Sequence, residues 1–183
     1  MTAPDVLTAD ELFALSVPNK RTELVRGRLI VGEPPGFQHG VVAMRLAARL
    51  DHFATTHGLG IVVAAETGFK LFSRPDTVRA PDVGFVRSQR VPNPLPVKYA
   101  DFAPDIAVEV LSPSDRAGDV LARISDWLNA GSELVWVVDP VRRVARVYRA
   151  EGSESQLIDD AALDGEDVLP GFSCPLVEIL GRL

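Results

Sequence analysis

The chain has 183 residues, of which 46% are hydrophobic and 24% are charged, and its net charge at pH 7 is −6. This composition is ordinary for a globular protein of one domain, and the negative charge argues against broad, non-specific wrapping of nucleic acid. The single cysteine, Cys174, excludes an internal disulfide and a thiolate zinc cluster.

The sequence gives no sign of a membrane partner. No segment approaches the roughly 20 continuous apolar residues of a membrane span. The N-terminal segment MTAPDVLTADELF lacks the basic-then-apolar pattern of a secretory signal. We therefore expect a cytoplasmic protein with a single domain over residues 1–183.

The first elements predicted from the sequence are a short helix and a β-hairpin. Thr8 and Glu11 have the spacing of a capping box, which predicts a helix over residues Thr8 to Ser16. The segment TELVRGRLIVG alternates apolar and polar side chains around Arg26 and Gly27. This alternation predicts two strands joined by a tight turn.

A long helix and three strands follow a loop rich in glycine and proline. Apolar residues spaced along one face predict the helix over Gln38 to His57. The strands are predicted over Ile61 to Phe72, with a bend near Gly68, over Val78 to Val86, and over Asp105 to Leu111.

The remaining elements again mix helix and strand. After Ser112-Pro113-Ser114, a second amphipathic helix is predicted to run to Ala130. The segment ELVWVVDP predicts a buried strand, and the segment RRVARVYRA predicts a solvent-facing strand. Acidic turns follow, and a last short helix is predicted over residues 175–180. Short strands interleaved with helices indicate a mixed β-sheet flanked by helices, in an α/β or α+β fold.

Two acidic residues fall within apolar segments of predicted strands. Asp82 follows Pro81 in APDVGFV, and Glu109 lies between two valines in DIAVEVL. Alternation places Glu109 on one strand face, with Asp105, Ala107 and Leu111, and places three apolar residues on the other face, Ile106, Val108 and Val110. An ionised carboxylate buried without a partner is costly, so both groups need a cation nearby.

A divalent metal ion is one such cation. If Asp82 begins a neighbouring antiparallel strand, its carboxylate and that of Glu109 approach each other. Together with the backbone carbonyl of Val110 and water, they would suit Mg²⁺ or Mn²⁺. The structural alternative is that Asp82 caps a turn and Glu109 pairs with an arginine.

The arrangement of these segments resembles a known family. The chain is similar to the PD-(D/E)xK nuclease superfamily, and more closely to the Uma-type family of restriction-endonuclease-like proteins. The similarity lies in a PD followed by a strand, then the string PDIAVEVLSPSD, a helix and WVVDP. The resemblance runs from ELVRGRLI to the GF near the C-terminus, with a nuclease core over about residues 37–139.

The resemblance implies the fold of a metal-dependent phosphodiesterase. By this resemblance, Asp82 and Glu109 correspond to metal ligands of the family. Glu23 matches an acidic position that can complete such a site. His39 falls where the family often has a histidine. Glu23 and His39 also have structural interpretations, as an exposed hairpin residue and a packing residue.

The catalytic lysine of the superfamily is missing from its usual position. Leu111 stands two residues after the glutamate, and the Uma-type lysine of the next helix is replaced by Arg123. Arginine keeps the positive charge but cannot act as a base. Arg123 could instead be an exposed helix residue paired with Asp119. Lys70, on the strand before the one that contains Asp82, is a possible substitute for the missing lysine.

The other conspicuous side chains are interpreted as structural. Trp127 and Trp136 are predicted to lie in the core. Ser112 and Ser114 are predicted to cap the second helix. The densest basic cluster comprises Arg142, Arg143, Arg146 and Arg149. It is predicted to guard an edge strand, and contact with a phosphate backbone is the alternative.

Two hypotheses about function follow. The first is a Mg²⁺-dependent endonuclease acting on DNA, with Asp82 and Glu109 as ligands, Glu23 assisting and Arg123 neutralising the scissile phosphate. The second is a catalytically impaired nuclease-like protein that binds nucleic acid or a protein partner. Duplex cleavage usually takes two active sites, so the first hypothesis includes a homodimer, with ELVWVVD or the final helix as contact surfaces.

Overall fold

The computed structural model describes residues 6–15, 17–158 and 160–181. Its elements follow the chain in the order α1 Ala9–Ala14, β1 Arg21–Val25, β2 Arg28–Gly32, α2 Phe37–His57, β3 Gly60–Ala64, β4 Phe69–Phe72, β5 Thr77–Arg79, β6 Val83–Arg87, β7 Ile106–Val110, α3 Ala117–Asn129, β8 Leu134–Asp139, β9 Val144–Arg149, β10 Glu154–Ile158, β11 Ala162–Asp164, β12 Ser173–Pro175 and α4 Leu176–Leu180.

The strands form a six-stranded sheet and a four-stranded sheet, with a small two-stranded ribbon of β11 and β12. The larger sheet has the order β10-β9-β8-β7-β6-β3, and its β7–β8 pair is parallel while its other pairs are antiparallel. The smaller sheet has the order β2-β1-β5-β4. The predicted mixed sheet flanked by helices is therefore confirmed.

The first predicted elements are confirmed closely. Thr8 caps α1 with a complete capping box that includes Glu11, and the predicted end of this helix at Ser16 lies outside the described residues. Arg26 and Gly27 both have positive φ, at 49° and 75°, as the tight turn of a β-hairpin requires. A Cβ at Gly27 would overlap the side chain of Val6, so both space and backbone require glycine.

Two predicted strands are each divided between the two sheets. The segment Ile61 to Phe72 forms β3 and β4, and the segment Val78 to Val86 forms β5 and β6. The chain changes sheets near Gly68, where a Cβ would overlap the ring of Tyr99, and at Pro81, which has no amide proton to donate to a sheet. The prediction of one bent strand and one continuous strand was wrong because apolar periodicity alone does not show which sheet a segment joins.

The larger sheet is covered on both faces. Ile106, Val108 and Val110 pack with the buried face of α2, and Ala107 packs with the buried face of α3, around Trp127. This arrangement confirms the predicted alternation along β7. It places Glu109 on the α3 side of the sheet, and both tryptophans are fully buried, as predicted.

Several predictions about the second half of the chain were wrong. The N-cap of α3 is Arg116, without a side-chain cap, so neither Ser112 nor Ser114 caps that helix. Strand β9 is interior to the sheet because β10, which the sequence interpretation missed, pairs along its outer side. Every arginine of the basic cluster has a partner within the protein. Carboxylates pair with three of them, Asp139 with Arg142, Glu154 with Arg146 and Glu166 with Arg149, and Arg143 donates to the carbonyls of Leu180 and Gly181.

The two segments proposed as contact surfaces pack within the protein. All six residues of β8 are buried in the middle of the larger sheet, because strands pair on both of its sides. Helix α4 contributes Leu176 and Ile179 to the core beside α2. No helix in the described part of the chain combines the length and the apolarity that a membrane crossing requires.

Candidate active site

A cavity of about 450 Å³ lies where the two sheets meet. Its walls come from the hairpin β1–β2, the loop before α2, the first turn of that helix, the end of β7 and the loop that leads to α3. Its titratable lining residues are Arg21, Glu23, Glu33, His39, Asp82, Glu109, Asp115 and Arg123. The cavity thus gathers most of the site residues predicted from the sequence, and Val110 also lines it.

Asp82 is buried at the junction between the sheets, just before β6. Its backbone amide donates to the carbonyl of Val108, at 2.9 Å, which aligns it with β7. Its carboxylate oxygen Oδ2 accepts from the amide of Val110, at 2.8 Å, and lies 3.1 Å from Nε2 of His39. Its other oxygen, Oδ1, has a weaker contact, with a nitrogen of Arg21 at 3.4 Å.

Glu109 is buried beside Asp82 on β7. Its Oε1 accepts a hydrogen bond of 2.8 Å from the indole of Trp127, and its Oε2 lies 2.9 Å from Nε of Arg123. Burial raises the pKa of Glu109 to about 7. The Arg123 charge opposes that rise in pKa, while the negative charges of Asp82 and Glu23 add to it.

Arg123 reaches the cavity from α3 and is held by two carboxylates. It pairs with Glu109 and, through a second nitrogen at 2.8 Å, with Asp115. Asp115 also accepts a hydrogen bond of 2.7 Å from the amide of Ser112, which fixes the loop before α3. Burial opposes the charge of Arg123, but these two carboxylates raise its pKa above the ordinary arginine value. The alternative pairing of Arg123 with Asp119 is not observed.

Glu23 faces the cavity from β1 and supports the segment that carries Asp82. One of its oxygens accepts from Arg79, at 2.7 Å, and the other accepts from the amide of Ala80, at 3.0 Å. Arg79 is itself buried and donates two further bonds, of 3.0 and 2.7 Å, to Asp126 on α3. Burial opposes the charge of Arg79, but Glu23 and Asp126 raise its pKa.

Two further residues suggested by the sequence, His39 and Lys70, lie in different parts of the structure. His39 is buried in the first turns of α2 against Asp82, and its Nδ1 has no hydrogen-bond partner among the described residues. Lys70 lies on β4, pairs with Asp76 at 3.5 Å and is not part of the cavity lining. The structure therefore brings His39, but not Lys70, to the buried carboxylates.

The carboxylate pair fits a hard cation that needs few protein ligands. Within residues 6–15, 17–158 and 160–181, no three His, Cys, Asp or Glu side chains are placed together to hold a metal ion. Mg²⁺ usually keeps several waters and binds one or two carboxylates. Oδ1 of Asp82 has a long contact of 3.4 Å, and Nε of Arg123 makes no aligned hydrogen bond to Oε2 of Glu109. These two oxygens could therefore hold such an ion.

Sequence interpretation missed four residues that build this site. Trp127 was assigned to the core, and Arg21, Arg79 and Asp115 were not considered. One signal was available, because Arg123, Asp126 and Trp127 have the i, i+3, i+4 spacing of a single helix face. Arg79 gave a weaker signal, as a charged residue that precedes the apolar segment APDVGFV.

Comparison with known proteins identifies relatives of this fold. Over 95% of the chain, it is similar to a crystal structure from Anabaena variabilis ATCC 29413, described as "a putative nuclease belonging to DUF820". The TM-score is 0.83 at 20% identity, and 97% of that protein is covered, so the two share a fold. A comparison with curated proteins gives no match.

The sequence also matches a family directly. The match extends over residues 9–177 and is to the Uma2 family, described as "Putative restriction endonuclease". It includes every residue of the cavity lining and of both sheets. The resemblance noted from the sequence is therefore confirmed, and the chain belongs to the Uma2 family.

Proposed function

We propose that this protein is a divalent-metal-dependent endonuclease that hydrolyses phosphodiester bonds of DNA. The observation that carries the proposal is the pair of adjacent buried carboxylates, Asp82 and Glu109, in one cavity. A fold that keeps two acids in its interior has to offset the cost of their charge. A cation that binds to both acids offsets this cost and also serves phosphodiester hydrolysis.

Asp82 and Glu109 would hold the ion, Mg²⁺ or Mn²⁺, with the backbone carbonyl of Val110 as a further oxygen ligand. When bound, such an ion stabilises negative charge on the phosphate and lowers the pKa of water. The hydrogen bonds from Val110 and Trp127 orient one oxygen of each carboxylate, which leaves the second oxygen of each toward other partners. His39 contacts the same oxygen of Asp82 that accepts from the amide of Val110.

Arg123 would stabilise the charge that develops on the scissile phosphate. Its guanidinium stays protonated, so it supplies positive charge but accepts no proton from water. Asp115 holds it at the cavity wall. We assign Glu23 an assisting role through position, since both of its oxygens bind the segment that precedes Asp82.

Nicking of supercoiled plasmid DNA in Mg²⁺ or Mn²⁺ tests the proposal. Wild-type protein is expected to nick, and Asp82→Asn is expected to lose at least about a hundredfold in rate, because it removes the charge that holds the ion. Glu154→Gln is the matched control, since it removes one carboxylate charge at an exposed ion pair outside the cavity. Equal rates for wild type and Asp82→Asn would contradict the proposal.

A second candidate function is binding of nucleic acid without cleavage. The observation that favours it is the double ion pair of Arg123 with Glu109 and Asp115, which neutralises the site without a metal ion. The same nicking assay separates the two functions with Arg123→Lys. Activity in Arg123→Lys but not in wild type would show a site that one residue has disabled. Absence of nicking in both proteins, together with DNA binding, would support the binding function.

A further inference from the structure

The cavity wall contains a second arginine whose role is separate from that of Arg123. Arg21 lies at the start of β1, two residues before Glu23, so strand alternation directs both side chains to the cavity. Between them, Thr22 points to the opposite face with Leu24, which is fully buried. The orientation of Arg21 is thus set by the strand that anchors Glu23.

The carboxylates around the cavity have close partners other than Arg21. Glu33 pairs with Lys20, Glu23 with Arg79, and Asp115 with Arg123. Glu109 has both Arg123 and the indole of Trp127. Asp82 already has the amide of Val110 and His39 on one of its oxygens. Of these acids, Arg21 therefore contacts only Asp82, through the oxygen that Val110 and His39 do not bind.

The contact that Arg21 does make is a loose one. Its nitrogen lies 3.4 Å from Oδ1 of Asp82, whereas charge-assisted hydrogen bonds are usually about 2.7–2.9 Å long. Among the described residues, Asp82 is the one hydrogen-bond partner of this guanidinium. The side chain is 26% exposed, so its remaining donors reach solvent at the cavity wall. A planar fork of free donors beside a phosphodiesterase site matches the geometry of a phosphate.

We propose that Arg21 binds a backbone phosphate of the DNA substrate through the non-bridging oxygens. This inference rests on the proposed nuclease function and assigns the residue to substrate binding. Arg123, which two carboxylates hold, acts on the reacting phosphate, whereas Arg21 anchors the strand. Contact with a phosphate carries no base information, so Arg21 contributes affinity equally for all sequences.

Binding of a short fluorescein-labelled duplex DNA tests this role, with Ca²⁺ in place of Mg²⁺ to measure affinity apart from turnover. Fluorescence anisotropy is recorded between about 50 and 200 mM salt. Arg21→Gln is expected to weaken binding about tenfold at low salt and to reduce the slope of log K against log salt by about one. Arg21→Lys is expected to keep the slope and to recover part of the affinity, because it keeps the charge without the fork.

Arg28→Gln is the matched control, because it removes the same charge from an exposed residue of the same hairpin that is not part of the cavity lining. It is expected to leave the salt slope unchanged. If Arg21→Gln keeps the wild-type salt slope, the inference is overturned, whether or not its affinity falls. Arg21 would then be only a counterion of Asp82. If wild type cleaves DNA in that case, the nuclease proposal stands and only the role of Arg21 fails. If wild type neither binds nor cleaves, both fail.

Discussion

At the scale of single residues, Asp82 and Glu109 show how a fold can keep two acids in its interior. Asp82 accepts a backbone amide and contacts His39, while Glu109 accepts an indole and faces Arg123. Hydrogen bonds to the charged form offset part of the burial cost, but the pKa of Glu109 still rises to about 7. The positions of both acids were predictable from apolar sequence context, whereas the donors that support them come from segments distant in sequence.

The raised pKa makes the stability of the metal-free protein depend on pH. An acid whose pKa rises on folding contributes stability below its unfolded pKa and loses it as pH rises through the folded value. In EDTA, the free energy of unfolding of wild type is therefore expected to fall by at least about 1 kcal/mol more than that of Glu109→Gln between pH 5 and pH 8. Urea unfolding of both proteins at the two pH values measures this difference.

Added Mg²⁺ provides the control for this prediction. If Glu109 holds the ion, Mg²⁺ at pH 8 should restore stability to wild type and have less effect on Glu109→Gln. A stability difference between the two proteins that does not change with pH would contradict the assignment of the raised pKa to Glu109.

At the scale of elements, α3 links the two sheets. It presents Arg123 and Trp127 to Glu109 and presents Asp126 to Arg79 of the smaller sheet. The amphipathic pattern predicted this helix to within a few residues at each end. The polar contacts of the same helix could not be predicted, because the residues they reach lie on strands whose sheet assignment the sequence does not determine.

Loss of the Arg79 bridge is expected to destabilise the protein strongly. Arg79→Met would leave Glu23 and Asp126 without their common cation in a largely buried position, at a cost of about 3–5 kcal/mol. Arg146→Met is the matched control, since it breaks an exposed pair with Glu154 worth at most about 1 kcal/mol. Equilibrium urea unfolding of both variants compares the two costs, and equal costs would show that Arg79 is not an essential link.

At the scale of the whole molecule, the C-terminal segment completes the main core. Leu163, Leu169, Phe172, Leu176 and Ile179 are buried together with residues of α2 and the larger sheet. The sequence predicted the helices, including the last short one, and the central strands, but it predicted only acidic turns where β10, β11 and β12 lie, because these strands are only three to five residues long. Such short strands form through their pairing partners, which periodicity does not show.

Phe172 tests the contribution of this segment. Its ring stacks on Trp136, with centroids 5.9 Å apart, and the residue is 2% exposed. Phe172→Ala is expected to cost about 3–5 kcal/mol by leaving a cavity against the central strand. Phe37→Ala removes the same ring from a residue that is 91% exposed and should change stability by less than about 0.5 kcal/mol. The urea unfolding midpoints of Phe172→Ala and Phe37→Ala compare the two losses of stability. Similar midpoints would show that the C-terminal segment contributes little to the core.

The hydrogen bond between Trp127 and Glu109 also gives the protein an intrinsic optical probe. The chain has two tryptophans, and Trp136 stacks on Phe172 in the core, away from the cavity lining. Trp127 alone donates its indole proton to the candidate ligand Glu109. Its emission should therefore change when the charge on that carboxylate changes, while the emission of Trp136 stays as a constant background. Events at this site should be visible by fluorescence without any attached dye.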